Sequence, residues 1–307
     1  MKMEALDILV NQLFDYSGMF PPESKSFADA IIDSASFSSK LNRPFMIGAD
    51  IVLSFTELKN LSQQLLINSG HKANTAFKVA VLGSKIVGEK SDFIDESLYL
   101  KNVFHGFDKI NAQICSYEIK VANHALTNSN LFENLIESFN CPIAIEPDLS
   151  QDNWHDTLSE SVKIISKHKD KLTLKIRGTG PAAINTDKIA VVIYAVSKAK
   201  INLKATGGLH HPVIEAARYS NNLGFLNLGV ALYLSHAHQE RFTSDDIIEC
   251  LLCDNSSKFT LNSKLSFKNF SVSLEQLSLL KSSFKFGIGS CSLTEPDSDL
   301  CRLFDNE

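Results

Sequence analysis

Short, nearly unbroken apolar runs recur along this chain, and amphipathic stretches of helical length separate them. A strand covered on both faces has no solvent side and so loses its polar alternation, which marks a parallel sheet wrapped by helices. The candidate strands are 44–53 (PFMIGADIVL), 76–83 (AFKVAVLG), 112–119 (AQICSYEI), 142–148 (PIAIEPD), 172–178 (LTLKIRG), 201–206 (INLKAT), 224–228 (GFLNL) and 284–290 (FKFGIGS). Between them, Leu131, Leu135 and Phe139 share one helical face, as do Leu158, Val162 and Ile165, and again Ile189, Val192 and Val196. Eight strands with intervening helices predict an α/β fold, a (β/α)8 TIM-type barrel, over 1–307 as a single domain. No Gly-x-Gly-x-x-Gly follows the first run, which argues against a dinucleotide-binding sheet.

Two segments depart from the repeat. Residues 1–25 hold an extra helix, with Leu6, Leu9, Val10 and Leu13 on one face, and then the loop DYSGMFPPES. A further helix starts near Ser26, where Ser26 and Asp29 have capping spacing. That helix leads into the first candidate strand and must run antiparallel to it, so the loop from Asp15 to Pro22 belongs at the carboxyl mouth of the barrel. Residues 257–272 alternate like a small β-hairpin inserted before the last strand, a candidate lid or subunit contact in a homo-oligomer. Ser273 and Gln276 then cap a last helix.

In such a barrel the chemistry sits at the carboxyl ends of the strands. Side chains two apart on a strand share a side, which pairs Ser116 with Glu118, Glu146 with Asp148, Lys175 with Arg177, and Lys204 with Thr206. Acids on the third and fourth candidate strands thus face cations on the fifth and sixth. Taking those cations out of water costs several kcal/mol unless a counter-charge or ligand meets them, so a prepared anion site is expected around Lys175, Arg177 and Lys204. Gly178, Gly180, Gly207 and Gly208 follow the cations and would let backbone N–H groups approach an anion, although tight βα turns use glycine for the same conformational freedom. His210 and His211 come next in GGLHHP, and either could move a proton near neutral pH. Asn227, Ser290 and Cys291 stand at the ends of the last two candidate strands, and the N-terminal loop either brings Asp15 and Tyr16 over the pocket or plugs the barrel mouth as a proline-stiffened packing element.

A net charge of −5 and 21% charged residues disfavour nucleic acid or an anionic membrane as the main partner, since both call for dense basic patches. The first twenty residues carry acids and amides where a signal peptide needs an apolar stretch, and six scattered cysteines read as reduced thiols, so a cytoplasmic protein is expected. Cys250 and Cys253 in ECLLC read as core rather than as a redox pair.

The motifs DYSGMFPP, KIRGTG, LKATGGLHHP, GFLN and FGIGSCSLTEP together resemble a family of uncharacterised bacterial proteins. The resemblance runs from Asp15 to Pro296 and implies that Asp15, Tyr16, Lys175, Arg177, Lys204, His210, His211, Asn227, Ser290, Cys291 and Glu295 belong to its motifs. This chain departs from the pattern at Gly178-Thr179-Gly180, where a glycine pair is usual, and at Leu293, where an aromatic is usual. A looser likeness is to class I aldolases of the deoxyribose-phosphate type. It implies Lys204 as an imine-forming lysine and Glu118 as its acid, with Lys175 as second cation because Asn227 stands where a lysine is expected.

These readings converge on a lyase or isomerase acting on a small anionic carbonyl or sugar-like metabolite. Lys175 and Arg177 would grip the anion, Lys204 would polarise a carbonyl as imine or ammonium, and Glu118, Glu146 or a histidine would move protons. No cofactor is required by that reading. The alternatives are an enzyme in which Glu118 and Glu146 hold Mg²⁺ or Mn²⁺, and a non-catalytic anion-binding barrel.

Overall fold

The barrel closes through a strand drawn from the segment whose sequence reads as loop. The computed structural model describes residues 3–61, 77–107, 112–180, 182–214 and 223–304. Its strands in chain order are β1 (Phe14–Tyr16), β2 (Ile51–Ser54), β3 (Phe77–Val87), β4 (Ala112–Val121), β5 (Ile143–Pro147), β6 (Leu172–Arg177), β7 (Asn202–Thr206), β8 (Phe259–Thr260), β9 (Lys264–Phe267), β10 (Phe270–Ser273) and β11 (Phe286–Ser290). Eight of them form one parallel sheet in the order β1-β11-β7-β6-β5-β4-β3-β2. Its two edges meet where Phe14 bridges Ile47 and the Tyr16 N–H donates to the Ala49 carbonyl at 3.0 Å, so the sheet is a (β/α)8 barrel.

Helices Phe27–Lys40, Ile94–Phe107, Ser129–Ser138, Trp154–Lys167, Thr186–Ala199, Phe225–Ala237 and Thr294–Phe304 wrap the outside. Their stripes are those read from the periodicity. Leu131, Leu135, Leu158, Ile165, Ile189, Val192 and Val196 are all buried, each contributing about 1.5–3 kcal/mol relative to exposure. The caps at Ser26 and Ser273 form as expected, with Ser26 Oγ accepting from the Asp29 N–H and Ser273 Oγ from the Gln276 N–H, each at 3.2 Å.

The run GFLNL is a helix, not a strand. Gly224 is its N-cap, and every residue from Phe225 to His236 is buried. Asn227 therefore points away from the mouth. Its Nδ2 donates to the carbonyls of Cys250 at 2.8 Å and Cys253 at 2.7 Å, which ends the neighbouring helix Ser244–Leu251. Replacing it by alanine takes a donor from the buried Cys250 carbonyl, which keeps backbone donors, and from the part-buried Cys253 carbonyl, and a loss of about 1–2 kcal/mol is expected in denaturant melts. The role taken by GFLNL in the strand count passes to β1, where the sequence alternates in the opposite sense to a loop: Phe14 and Tyr16 point outward into helices while Asp15 points into the barrel.

The hairpin is a three-stranded antiparallel sheet, β10-β9-β8. Phe259, Leu265, Phe267 and Val272 are buried, and β9 packs against the helices Glu4–Val10, Phe225–Ala237 and Leu274–Ser283. The Ala5 and Leu6 N–H groups donate to the Asn262 and Leu261 carbonyls at 2.8 and 2.9 Å. The insertion thus seals the outer wall beneath the extra N-terminal helix rather than covering the mouth as a lid. All six cysteines are free thiols. No helix among the described residues is long and apolar enough to cross a membrane.

Candidate active site at the carboxyl mouth

β4, β6 and β7 carry their charges inward at neighbouring levels, with Lys175 beside Lys204 and Arg177 beside Thr206 in register. Two ammoniums side by side repel, and the structure meets that with carboxylates from the facing wall. Lys204 Nζ bonds Asp15 Oδ2 and, at 2.5 Å, Glu118 Oε1. Lys175 Nζ lies 3.1 Å from Glu118 Oε2 and 2.7 Å from Glu146 Oε2. Arg177 grips Glu146 with two donors, Nε to Oε1 at 2.9 Å and Nη2 to Oε2 at 3.1 Å. The result is one unbroken row, Asp15–Lys204–Glu118–Lys175–Glu146–Arg177, in which signs alternate. Glu118, Glu146, Lys175 and Lys204 are each less than 7% exposed.

Asp15 reaches Lys204 because its other oxygen is seated on the backbone, Oδ1 accepting from the Ala49 N–H at 2.6 Å. A Cβ at Gly48 would come within 2.6 Å of that same oxygen, so only glycine leaves the carboxylate room. Burial works against charge on every member, and the partners overcome it. Burial would raise the Glu118 carboxyl, but the ammoniums of Lys204 and Lys175 hold it down at about 2. Glu146 is likewise lowered against its burial by Lys175 and Arg177. For Lys204 burial favours the neutral amine, yet Asp15 and Glu118 outweigh it and raise the group well above the ordinary lysine value.

Above the row lies a cavity of ≈ 340 Å³. Glu118, Lys120, Lys175, Arg177, Lys204 and His210 supply its charged and titratable lining, with Thr206, Gly207 and Cys291 beside them. Phe20 and Pro21 close it on one side, and Phe20 packs on Ala49, Val52 and Ala80, an apolar patch facing the charged wall. The DYSGMFPP loop is therefore both a wall of the pocket and a packing element. Lys120 extends the two-residue alternation one step past Glu118, a signal present in the sequence but beyond the strand end assigned to 112–119. Its ammonium is exposed and forms no ion pair with a described residue. Counting it, four cations and Glu118 line the cavity, with Asp15 and Glu146 completing the row behind them and Glu295 lying against His210.

Of the two histidines, His210 lines the cavity and His211 does not. His210 lies 3.8 Å from Cys291 Sγ through Nε2 and 3.8 Å from Glu295 Oε2 through Nδ1. Burial lowers its pKa in spite of Glu295, so it is a neutral imidazole at pH 7. His211 turns to the helix Thr294–Phe304, with Nδ1 2.7 Å from Asp299 Oδ2. Burial pushes the Cys291 thiol up, away from thiolate character.

Several other expected members lie elsewhere. Tyr16 is buried outside the barrel, edge-on to Phe37, with its hydroxyl donating to Asp33 Oδ2 at 3.3 Å. Ser290 Oγ donates to the Ser292 carbonyl at 2.6 Å but stays by the site, 3.4 Å from His210 Nδ1. The glycines serve the turns more than a ligand. Gly180, Gly207 and Gly208 have positive φ, and a Cβ at Gly178 would meet the Gly207 carbonyl at 2.7 Å, so the loops after β6 and β7 touch backbone to backbone. The Gly178 N–H is already bonded to the Thr206 carbonyl at 2.9 Å, and of the four only Gly207 lines the cavity. Asp148 caps its own turn through Ser150 and Gln151, and Ser116 faces the opposite end of the barrel.

Both carboxylates proposed as metal ligands have each oxygen on a cation, so a dication there would first have to displace ammonium or guanidinium groups. Among the described residues no group of three or more His, Cys, Asp or Glu side chains converges as a metal site would require.

Strand order and closure define this chain as a (β/α)8 barrel, and its carboxyl mouth carries an inward row of charge. No protein-family model matches it, and no curated protein does. Among solved structures it is similar to a UMP synthase from Leishmania donovani, with a TM-score of 0.41 and 11% identity over 80% of this chain and 54% of that one. The match thus spans about half the length of the solved chain.

Proposed function

We propose that this barrel is a lyase or isomerase that binds a small anionic, oxygen-rich metabolite at its carboxyl mouth and leaves an electron pair on carbon beside Lys204. One observation carries the reading: Lys204 is a buried lysine fixed as an ammonium between Asp15 and Glu118, with one face open to a cavity. An amine forms an imine only after losing its proton, and two carboxylates oppose that loss. An ammonium so held is a weak acid toward water but a good donor to a carbanion or enolate, and its charge stabilises either one as it develops.

The other groups fit a retro-aldol step. Arg177 has three N–H donors left after gripping Glu146, and together with Lys120 it binds the substrate's phosphate or carboxylate. Neutral His210 accepts the proton of the β-hydroxyl. The C–O bond becomes a carbonyl, the carbon–carbon bond breaks, and its electron pair passes to the enolate facing Lys204. Lys204 protonates that carbon, and the proton on His210 returns to Lys204 through solvent. An isomerisation uses the same enolate with no carbon–carbon cleavage.

A thermal-shift and turnover screen against phosphorylated sugars, keto acids and sugar acids tests the reading. Any ligand that raises Tm should bind at least tenfold more weakly to Arg177→Ala, because a charge-assisted bidentate contact is lost. Ligands that bind both forms alike would place the anion somewhere else and sink the proposal.

A further inference from the structure

The row of charge has a second side. At the amino mouth of the barrel lies another cavity, of ≈ 380 Å³, and Asp15 and Lys204 line it from above. The two cavities share only Lys204 in their linings, so this lysine and its partners form the partition between them. Three further lysines line the amino-end cavity: Lys78 from the start of β3, Lys281 from the last turn of the helix Leu274–Ser283, and Lys285 just before β11. The amides of Asn11, Gln12 and Gln113 stand among them. Asp15 is the one carboxylate among the described lining residues, and Lys204 and the Ala49 N–H occupy both its oxygens.

Nothing among the described residues neutralises these ammoniums at contact distance. Lys281 is half-buried, and its Nζ donates to the Leu9 carbonyl at 3.0 Å. Burial without a counter-ion pulls it down to about 8. Asp50 interacts with the Lys78 charge but forms no ion pair with it, its carboxylate accepting instead from the Lys78 backbone N–H at 2.7 Å. At the carboxyl mouth every buried cation has a carboxylate, whereas here half-buried and exposed cations stand at a hollow also walled by Ile143, Leu203, Phe284 and Phe286, with no carboxylate at contact distance among the described residues. A concave site lined by cations and amide donors, with no free acid among its described lining residues, is the complement of a compact, multiply charged oxyanion.

We infer that the amino mouth is a second anion-binding site, separate from the carboxyl mouth, for a small polyanion of the phosphate class held by Lys78, Lys281 and Lys285. The inference does not depend on the reaction proposed for the other mouth.

Titration calorimetry of the intact chain with sodium pyrophosphate at low ionic strength tests it, with citrate as the polycarboxylate arm. Two binding events are expected, and pyrophosphate should bind the amino-end site more tightly than citrate. Arg177→Ala should weaken one event at least tenfold and leave the other within twofold. Lys281→Met and Lys285→Gln should each weaken that other event about tenfold, the scale of one charge-assisted contact, and 0.3 M NaCl should weaken it further. Lys285 is exposed, so its variant keeps the test valid if Lys281→Met folds poorly. A single event abolished by Arg177→Ala, or an amino-end event unchanged in a Lys78→Gln, Lys285→Gln double variant, would overturn the assignment. Loss of the Arg177-dependent event alone would instead count against the proposed active site. Tighter binding of citrate would replace the phosphate class with a polycarboxylate.

Discussion

Glu118→Gln is expected to lower stability by about 3 kcal/mol or more, the largest effect of any substitution in the barrel interior. Glutamine keeps the shape but removes the central negative charge of the row. Lys204 retains Asp15 and Lys175 retains Glu146, yet two ammoniums in register on adjacent strands then face each other across a neutral amide. Breaking one buried pair costs about 3–5 kcal/mol because an uncompensated charge stays behind, a large share of the 5–15 kcal/mol that holds an ordinary domain together. The pH dependence has a definite sign. Glu118 is held at about 2 in the folded chain against an ordinary value of 4.5. Its contribution is therefore complete above pH 4.5 and disappears as pH falls toward 2, an amount of roughly 3 kcal/mol. Urea melts across that window should show the wild type losing stability faster than Glu118→Gln. Parallel curves would mean that Glu118 does not carry the charge assigned to it.

Lys204→Met is expected to reduce turnover of any substrate found by about 10³-fold or more, since it removes both the proton donor and the charge facing the developing enolate. The substitution also leaves Asp15 and Glu118 opposed, so lost folding could mimic lost chemistry. Lys204→Arg separates the two. A guanidinium keeps the positive charge between the carboxylates and preserves the fold, but it does not surrender its proton at the pH of the experiment. It should remain folded and still fall at least a hundredfold in rate. Borohydride added during turnover should leave no adduct on Lys204. A trapped adduct would restore the imine expected from the aldolase likeness, and a fully active Lys204→Arg would remove proton donation from the mechanism.

The charged row is legible in the sequence because strands impose a period of two. Glu118, Glu146, Lys175, Arg177 and Lys204 follow from that period plus the rule that barrel chemistry gathers at strand ends, without any knowledge of distances. Two features escape the same logic. GFLNLGVALYLSHA is apolar on all sides because its helix is sunk between others, and a helix without a polar face has the composition of a buried strand. FDY is only three residues long with an aspartate at its centre, too short for any period to declare itself. The direct bond from Asp15 to Lys204 follows from that second case, since a residue read as loop carries no fixed orientation. The roles of His210 and His211 divide for a related reason. Adjacent side chains point apart, but which one faces inward depends on the backbone of the turn, and only the helix Thr294–Phe304 with Glu295 and Asp299 decides it.

β1 pairs only with the last strand of the sheet and bridges residue 47 on its other side. Asp15 therefore cannot meet Lys204 until segments from both extremes of the chain have docked. During synthesis the lysine on β7 emerges long before its partner strand β11 exists to hold the aspartate in place. Completion of the charged row thus coincides with the final seam of the cylinder. A half-made or unzipped barrel would hold an ammonium with one acid missing.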